Sequence, residues 1–466
     1  MNMQVVAWTA FWCLTAATLQ AQTLSLSDAL EHSVLNFQKI KAKEAALDAS
    51  KENVRFNKRS YLPDLTLSAQ QSYGTINAQN GPMYSYGGLG SAASSMPLEE
   101  QNWNAAFGAL YLANINWNFF SFGKIKSEID GARSKEQVLA DDLDQLRFQH
   151  QIKVGAAYFN LLAAQRIKYV QERNVERALV IEKVTESRSK SGLIPAVDFA
   201  TAQAEVSYAQ AARIKAIDKE LAYSKSLAQL LGQEYQQYQL DDAYVLQTPT
   251  YIGESALSLE QHPVLEWQKS QVEHSQQQEK IHTALQRPSL SLFGVVQGRG
   301  SGFEWNYVQD NSAFSKAYTH GVGIDRTNYL VGLNLSWNLT QIFRQSSKAK
   351  EQKYLTQALE QEYLYAYEDI KAQRELTKEQ WDNAVAIYEQ TKIQVSAASK
   401  AYGQHTALYT NGLSSIVDVT QAFYLLHRAE IDSEIAQNNV WQALWMIAAA
   451  TGDVDLLLNE TNTQKK

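Results

Sequence analysis

No proline falls between Pro97 and Pro195, and from about residue 124 to about 190 apolar residues recur at helical spacing. Ile125, Ile129, Ala132, Leu139, Leu143 and Leu146 step by threes and fours, with one step of seven. Val154, Ala157, Leu161 and Ala164 resume the pattern after a shift near His150. At the usual rise this predicts a helix roughly 100 Å long. The stretch 341–411 reads the same way. Such helices cannot fold back within a compact domain, so both must pack as coiled coils. Shorter helices, at about 25–60 and 196–231, together approach the length of one long helix and can pair with it end to end.

The long helices stop at matching sites. "SGLIPAVDF" (191–199) ends the first and "NGLSSIVDV" (411–419) the second, so Gly192, Leu193, Val197 and Asp198 recur as Gly412, Leu413, Val417 and Asp418. "NINWN" (114–118) recurs as "NLSWN" (334–338), and Gly232 as Gly452; "YLPDLTL" (61–67) resembles "QRPSLSL" (286–292) at a slightly larger offset. Landmarks in a fixed order predict two tandem copies of one unit, 24–232 and 253–452, joined by a polar segment at 233–252 and followed by a tail at 453–466.

Each copy carries two alternating runs ahead of its long helix. "DLTLSAQQSY" sets Leu65, Leu67, Ala69 and Tyr73 against Thr66, Ser68, Gln70 and Ser72. Next, Trp103, Ala105, Phe107, Ala109, Tyr111, Ala113, Ile115, Trp117 and Phe119 oppose Asn104, Asn114, Asn116 and Asn118. In the second copy Tyr329, Val331, Leu333, Leu335, Trp337 and Leu339 oppose Asn334, Ser336 and Asn338. Period two with one apolar face predicts strands. The Gly/Ser/Asn-rich stretches 74–102 and 297–325 are expected as long surface loops.

Residues 1–21, "MNMQVVAWTAFWCLTAATLQA", resemble a secretory signal peptide, although no early Lys or Arg is present. The single cysteine, Cys13, lies within it, so no disulfide or thiol site is expected beyond it. A net charge of −7 without a dense basic block argues against nucleic acid as a partner. No later run reaches the 18 or so apolar residues of a membrane helix, so entry into a membrane would have to use strands. Four strands cannot close a membrane barrel, but three chains would supply twelve.

With these features in place, the chain resembles the TolC family of outer-membrane efflux proteins. The resemblance rests on "WNFFSFGK" (117–124), similar to the family's strand-to-helix junction, on the two Gly-Leu breaks with their Val-Asp steps, and on the Leu-Pro before the first strand. The second junction, "WNLTQIFR", keeps Trp337 and Arg344 but lacks the glycine. The resemblance covers about residues 24–452. It implies an α+β membrane protein: a homotrimer whose twelve-stranded β-barrel continues into a long α-helical barrel. It further implies a passive exit duct serving an inner-membrane transporter and a periplasmic adaptor.

The resemblance also assigns residues. Gly192, Leu193, Gly412 and Leu413 would form the adaptor-docking tips. Tyr409 and Asp198 match a polar tie that closes the periplasmic gate, and Asp418 matches a ring aspartate. Gln421 stands where a second ring aspartate would lie, and Ser414 where an arginine would strengthen the tie. Tyr111, Trp117, Tyr329 and Trp337 are expected in the barrel's aromatic belts.

No phosphate-binding loop occurs, so the energy for export would come from a partner. His274 and His282 lack a His-Glu-x-x-His context and read as surface-helix residues rather than ligands. No nucleophile–base signature stands out. The expectation is a non-enzyme without cofactor or metal; a soluble coiled-coil scaffold is the alternative reading.

Overall fold

The computed structural model describes residues 23–78, 95–241, 243–249 and 257–458. The proposed signal peptide, most of the first loop and the end of the tail lie outside them. In chain order the elements are α1 (Leu26–Asn36), α2 (Gln38–Arg59), β1 (Asp64–Thr75), β2 (Ala105–Phe120), α3 (Lys124–Lys190), α4 (Ala196–Leu231) and α5 (Ala243–Leu246). There follow α6 (Pro263–Ala284), β3 (Ser289–Ser301), α7 (Tyr318–Val322), β4 (Arg326–Ser336), α8 (Leu339–Thr410) and α9 (Ile416–Thr451). The two long helices are single unbroken elements of 67 and 72 residues. The expected 25–60 helix is instead interrupted at Phe37, whose extended backbone ends α1 and whose ring stacks on His150 at 3.8 Å.

Two compact units divide the chain. One comprises Leu47–Val138 and Ser270–Glu360. It holds an antiparallel sheet in the order β1-β2-β3-β4. Cross-strand partners keep the apolar residues on one face: Leu65 opposes Ile115, Ile115 opposes Gly294 and Gly294 opposes Val331. The other face carries Thr66, Asn114 and Asn334, but also Leu110, Leu112, Phe293, Val295 and Leu330, so it is less polar than the asparagines alone suggest.

Several strand limits differ from expectation. Trp103 precedes β2. Trp337 follows β4, and Leu339 already opens α8. Asn338 explains that early stop: its side-chain oxygen accepts from the Gln341 amide at 3.2 Å, capping α8 where the second junction lacks glycine. At the first junction Gly123, at φ +91°, makes the bend, and the Ser121 hydroxyl accepts from the Ile125 amide. The expected 297–325 loop is part strand, because β3 runs on to Ser301, and part helix, because it contains α7.

The second unit takes the chain up to Ala46, Leu139–Lys269 and Gln361 onward. Its core gathers Tyr158, Phe159, Leu227, Leu231, Trp441, Leu444 and Trp445, all buried. Gly155 lets α9 approach α3 here, since a Cβ would sit 2.2 Å from the Trp445 ring. The described residues of the 233–252 segment pack against this core. Leu240 bridges Leu24 in parallel fashion, and the Tyr244 ring packs edge-on against Trp441 at 4.9 Å.

Candidate functional site

The two helix reversals are built alike. After α3, Gly192 takes φ +70°, its amide donates to Ser189 O at 2.9 Å, and the Leu193 amide donates to Arg188 O at 2.9 Å. After α8, Gly412 takes φ +74°, its amide donates to Tyr409 O at 3.0 Å, and the Leu413 amide donates to Leu408 O at 2.9 Å. These paired bonds satisfy the last carbonyls of each helix and require a left-handed residue. A Cβ on either glycine would meet open space, so backbone conformation, not crowding, selects glycine. Each turn leaves its leucine bare, with Leu193 70% and Leu413 75% exposed.

The aspartates that follow are not equivalent. Ser415 and Asp418 form a reciprocal capping box at the start of α9. The Asp418 carboxylate accepts from the Ser415 amide at 3.0 Å, the Ser415 hydroxyl at 2.7 Å and the Ser414 hydroxyl at 2.9 Å. Those donors hold its pKa below the usual aspartate value. Ser414, which replaces the arginine expected from the resemblance, is therefore used in the cap. At α4 the cap position is Pro195, whose ring carries no hydrogen-bonding group, and Asp198 makes no such box.

Tyr409 is buried against Ile416 and Val419. Among the described residues its hydroxyl has no hydrogen-bond partner, so within one chain it does not bond to Asp198. Burial, then the nearby Asp198 carboxylate, raise the phenol pKa, while Arg188 opposes the rise. Arg188 is the contact that sequence reasoning missed. Its guanidinium donates to the Tyr409 carbonyl at 2.9 Å and lies over the Tyr409 ring, 5.6 Å from its centroid. Further up the same helices, Arg177 and Arg166 of α3 each make a two-pronged pair with α9, to Glu430 and Glu434 respectively. Gln421 is exposed beside Val417, Tyr424 and Arg428, lining a groove with Thr201.

On the sheet, Tyr329 stands free at 83% exposure. Tyr111 is half-buried, and its hydroxyl donates to Val322 O of α7 at 3.0 Å. Trp117 and Trp337 lie at the opposite end of the sheet, each with its indole hydrogen-bonded to a backbone carbonyl. His274 and His282 do not converge on a metal: His274 pairs with Ser134 and His282 with Gln345. Among the described residues no group of three or more His, Cys, Asp or Glu could hold a metal ion. No described helix is long and apolar enough to cross a membrane.

Residues 29–233 match the family model "Outer membrane efflux protein". No curated protein matches the chain. Among solved structures, VceC of Vibrio cholerae superposes with a TM-score of 0.71 at 15% identity, over 92% of this chain and 96% of that one. The MtrE channel of Neisseria gonorrhoeae gives 0.70 at 16%, over 92% and 89%. The CmeC channel of Campylobacter jejuni gives 0.66 at 16%, over 97% and 94%. At such identities the superpositions speak for the fold, and they extend it across both halves of the chain. The first part of the chain, residues 29–233, thus matches the outer membrane efflux protein family, and the chain as a whole shares the fold of VceC, MtrE and CmeC.

Proposed function

We propose that three copies of this chain close a twelve-stranded barrel in the outer membrane. The α-helical part then extends into the periplasm as an exit duct for an inner-membrane transporter and its adaptor. One observation carries the reading. The sheet is a four-stranded meander whose outer strands, β1 and β4, have no further strand partner among the described residues, and whose apolar face leaves Leu65, Leu67, Tyr329, Val331, Leu333 and Leu335 bare. Open edges and an exposed apolar face are both liabilities in water; closure with two more copies in lipid removes them. A soluble scaffold gains nothing from that face.

The two-copy organisation (24–232 and 253–452, with a joining segment at 233–252) accounts for the paired reversals and for two helix–sheet junctions of the same order. In this reading Leu193 and Leu413, exposed beyond Gly192 and Gly412, meet the adaptor. Tyr409, Asp198, Asp418 and Gln421 lie toward the resting constriction, and Tyr329, Trp117 and Trp337 toward the lipid interfaces. Arg188 joins the gate as the residue that holds Tyr409. The ring carries Asp418 but not a second carboxylate, so its cation attraction is correspondingly modest.

The test is extraction and crosslinking. The protein should leave the outer membrane only with detergent and run at three times the mass of one chain. A photocrosslinker at Leu413 should capture a periplasmic adaptor, and Gly412→Pro should abolish export while trimers persist. A monomer released without detergent contradicts the reading.

A further inference from the structure

The β3–β4 connection, residues 302–325, is a folded element rather than a loose loop, and it lies on the apolar face of the sheet. The Gly302 amide donates to Phe107 O at 2.8 Å, and Tyr111 Oη donates to Val322 O at 3.0 Å. Tyr318 Oη donates to the Gln71 side chain at 2.7 Å, and its ring meets Phe107 edge-on at 5.2 Å. The approach is so close that only glycines allow it. A Cβ on Gly300 would lie 1.9 Å from Gly323 O, and one on Gly321 would lie 2.3 Å from Phe107 O. The element has its own small core, with Tyr307 buried between Phe303 and Phe314. Outward it presents Trp305, 85% exposed, together with Ile324 and Tyr318. His320 and Glu304 pair at 2.9 Å next to Trp305.

Its position along the strands is informative. Tyr111 pairs with Gly298, and Gly298 with Thr327, so that row marks the lower edge of the element. Below it, Tyr329, Val331, Leu333 and Leu335 follow on the same face, all exposed. Thr327 through Leu335 is nine residues, and a tilted strand needs about 9–11 to cross a bilayer. The covered rows therefore begin where a hydrocarbon band of ordinary height ends.

We propose that residues 302–325 form a collar on the outside of the barrel, seated on the lipid headgroups of the outer leaflet through Trp305, Tyr318 and Ile324. This rests on the barrel reading above. It sits on the lipid-facing side and continues directly from the apolar band, which makes the headgroup layer its neighbour. An amphipathic Trp beside a His–Glu pair suits that layer, apolar below and wet above.

Nitroxide labels test it in full-length trimers reconstituted in phosphatidylcholine vesicles, with Cys13→Ser as background. Labels at Leu333→Cys, Ile324→Cys and Trp305→Cys are read by accessibility to oxygen and to a nickel chelate. The Leu333 label should be in hydrocarbon. Both collar labels should report headgroup depth, roughly 15 Å higher given six residues of tilted strand. Collar labels as open to nickel as a label in bulk water, with Leu333 still in hydrocarbon, overturn the collar and leave the barrel standing. A Leu333 label outside hydrocarbon overturns both.

Discussion

Trp117 and Trp337 make the same hydrogen bond. Trp117 Nε1 donates to Tyr61 O at 2.8 Å, and Trp337 Nε1 donates to Gln286 O at 3.0 Å. Both carbonyls belong to the turn that leads from a helix into a strand, two residues before Pro63 and Pro288. Each indole therefore clips the end of the second strand of a pair to the turn that opens the first. Trp117→Phe and Trp337→Phe should each lower stability by about 1 kcal/mol, the net worth of one such bond. Thermal unfolding of the two variants checks this; a loss at one site only would argue against equivalent roles for the two junctions.

Two helical glycines should respond with opposite sign to alanine. Alanine gains up to about 1 kcal/mol of helix propensity over glycine. At Gly403 nothing lies within 4 Å of an added Cβ, so Gly403→Ala should stabilise. At Gly155 the Cβ would strike the ring of buried Trp445, whose indole is held by Ile152 O at 2.9 Å and cannot swing away freely. Overpacking costs about 1–3 kcal/mol, so Gly155→Ala should destabilise despite its better propensity. Denaturant midpoints of the two variants decide; a stabilised Gly155→Ala would mean that α3 and α9 pack less closely.

Much of this was legible in the chain because long elements announce themselves. The limits of α3 follow from Gly123 and Gly192, and strand parity from unbroken alternation. What escaped depends on distant partners. Arg188, near a helix C-terminus, reads as an ordinary solvated cation there; nothing local says that Tyr409, 221 residues on, lies beneath it. The collar is hard to read because Gly298, Gly300 and Gly302 look like loop punctuation, whereas they let Ile324, Gly321 with Gly323, and Ser315 respectively come close to the strand. The Tyr409–Asp198 tie is what the resemblance implies; among the described residues of one chain the phenol bonds to no partner.

Membrane facing can be tested by charge. Val331→Arg and Leu333→Arg place a cation on the bare apolar face and should cost about 2–4 kcal/mol if they lie near the bilayer midplane. Asn334→Arg, on the opposite face, should be far milder. Outer-membrane levels of the three variants are the readout, and equal levels would refute the facing.

The cap at Asp418 makes a pH-dependent contribution of known sign. Its folded pKa lies below the ordinary 3.8, so the stabilisation is complete above that value and is lost as pH falls through the lower, folded one. Asp418→Ala should lower Tm near neutral pH, and the gap from the parent should close below about pH 4, where the unfolded carboxyl also protonates. A gap that persists unchanged at lower pH would show that the carboxylate is not what caps α9.

Single-channel recording in planar bilayers tests the central claim most directly. Purified trimers of the parent should give discrete current steps of low conductance. Arg188→Ala should give larger or longer openings, because it removes both the bond to the Tyr409 carbonyl and the charge over its ring. Tyr409→Phe, which keeps the ring and the carbonyl, should change conductance less. Trimers that insert but pass no current, in the parent and in Arg188→Ala alike, would contradict the assignment of this chain as a channel.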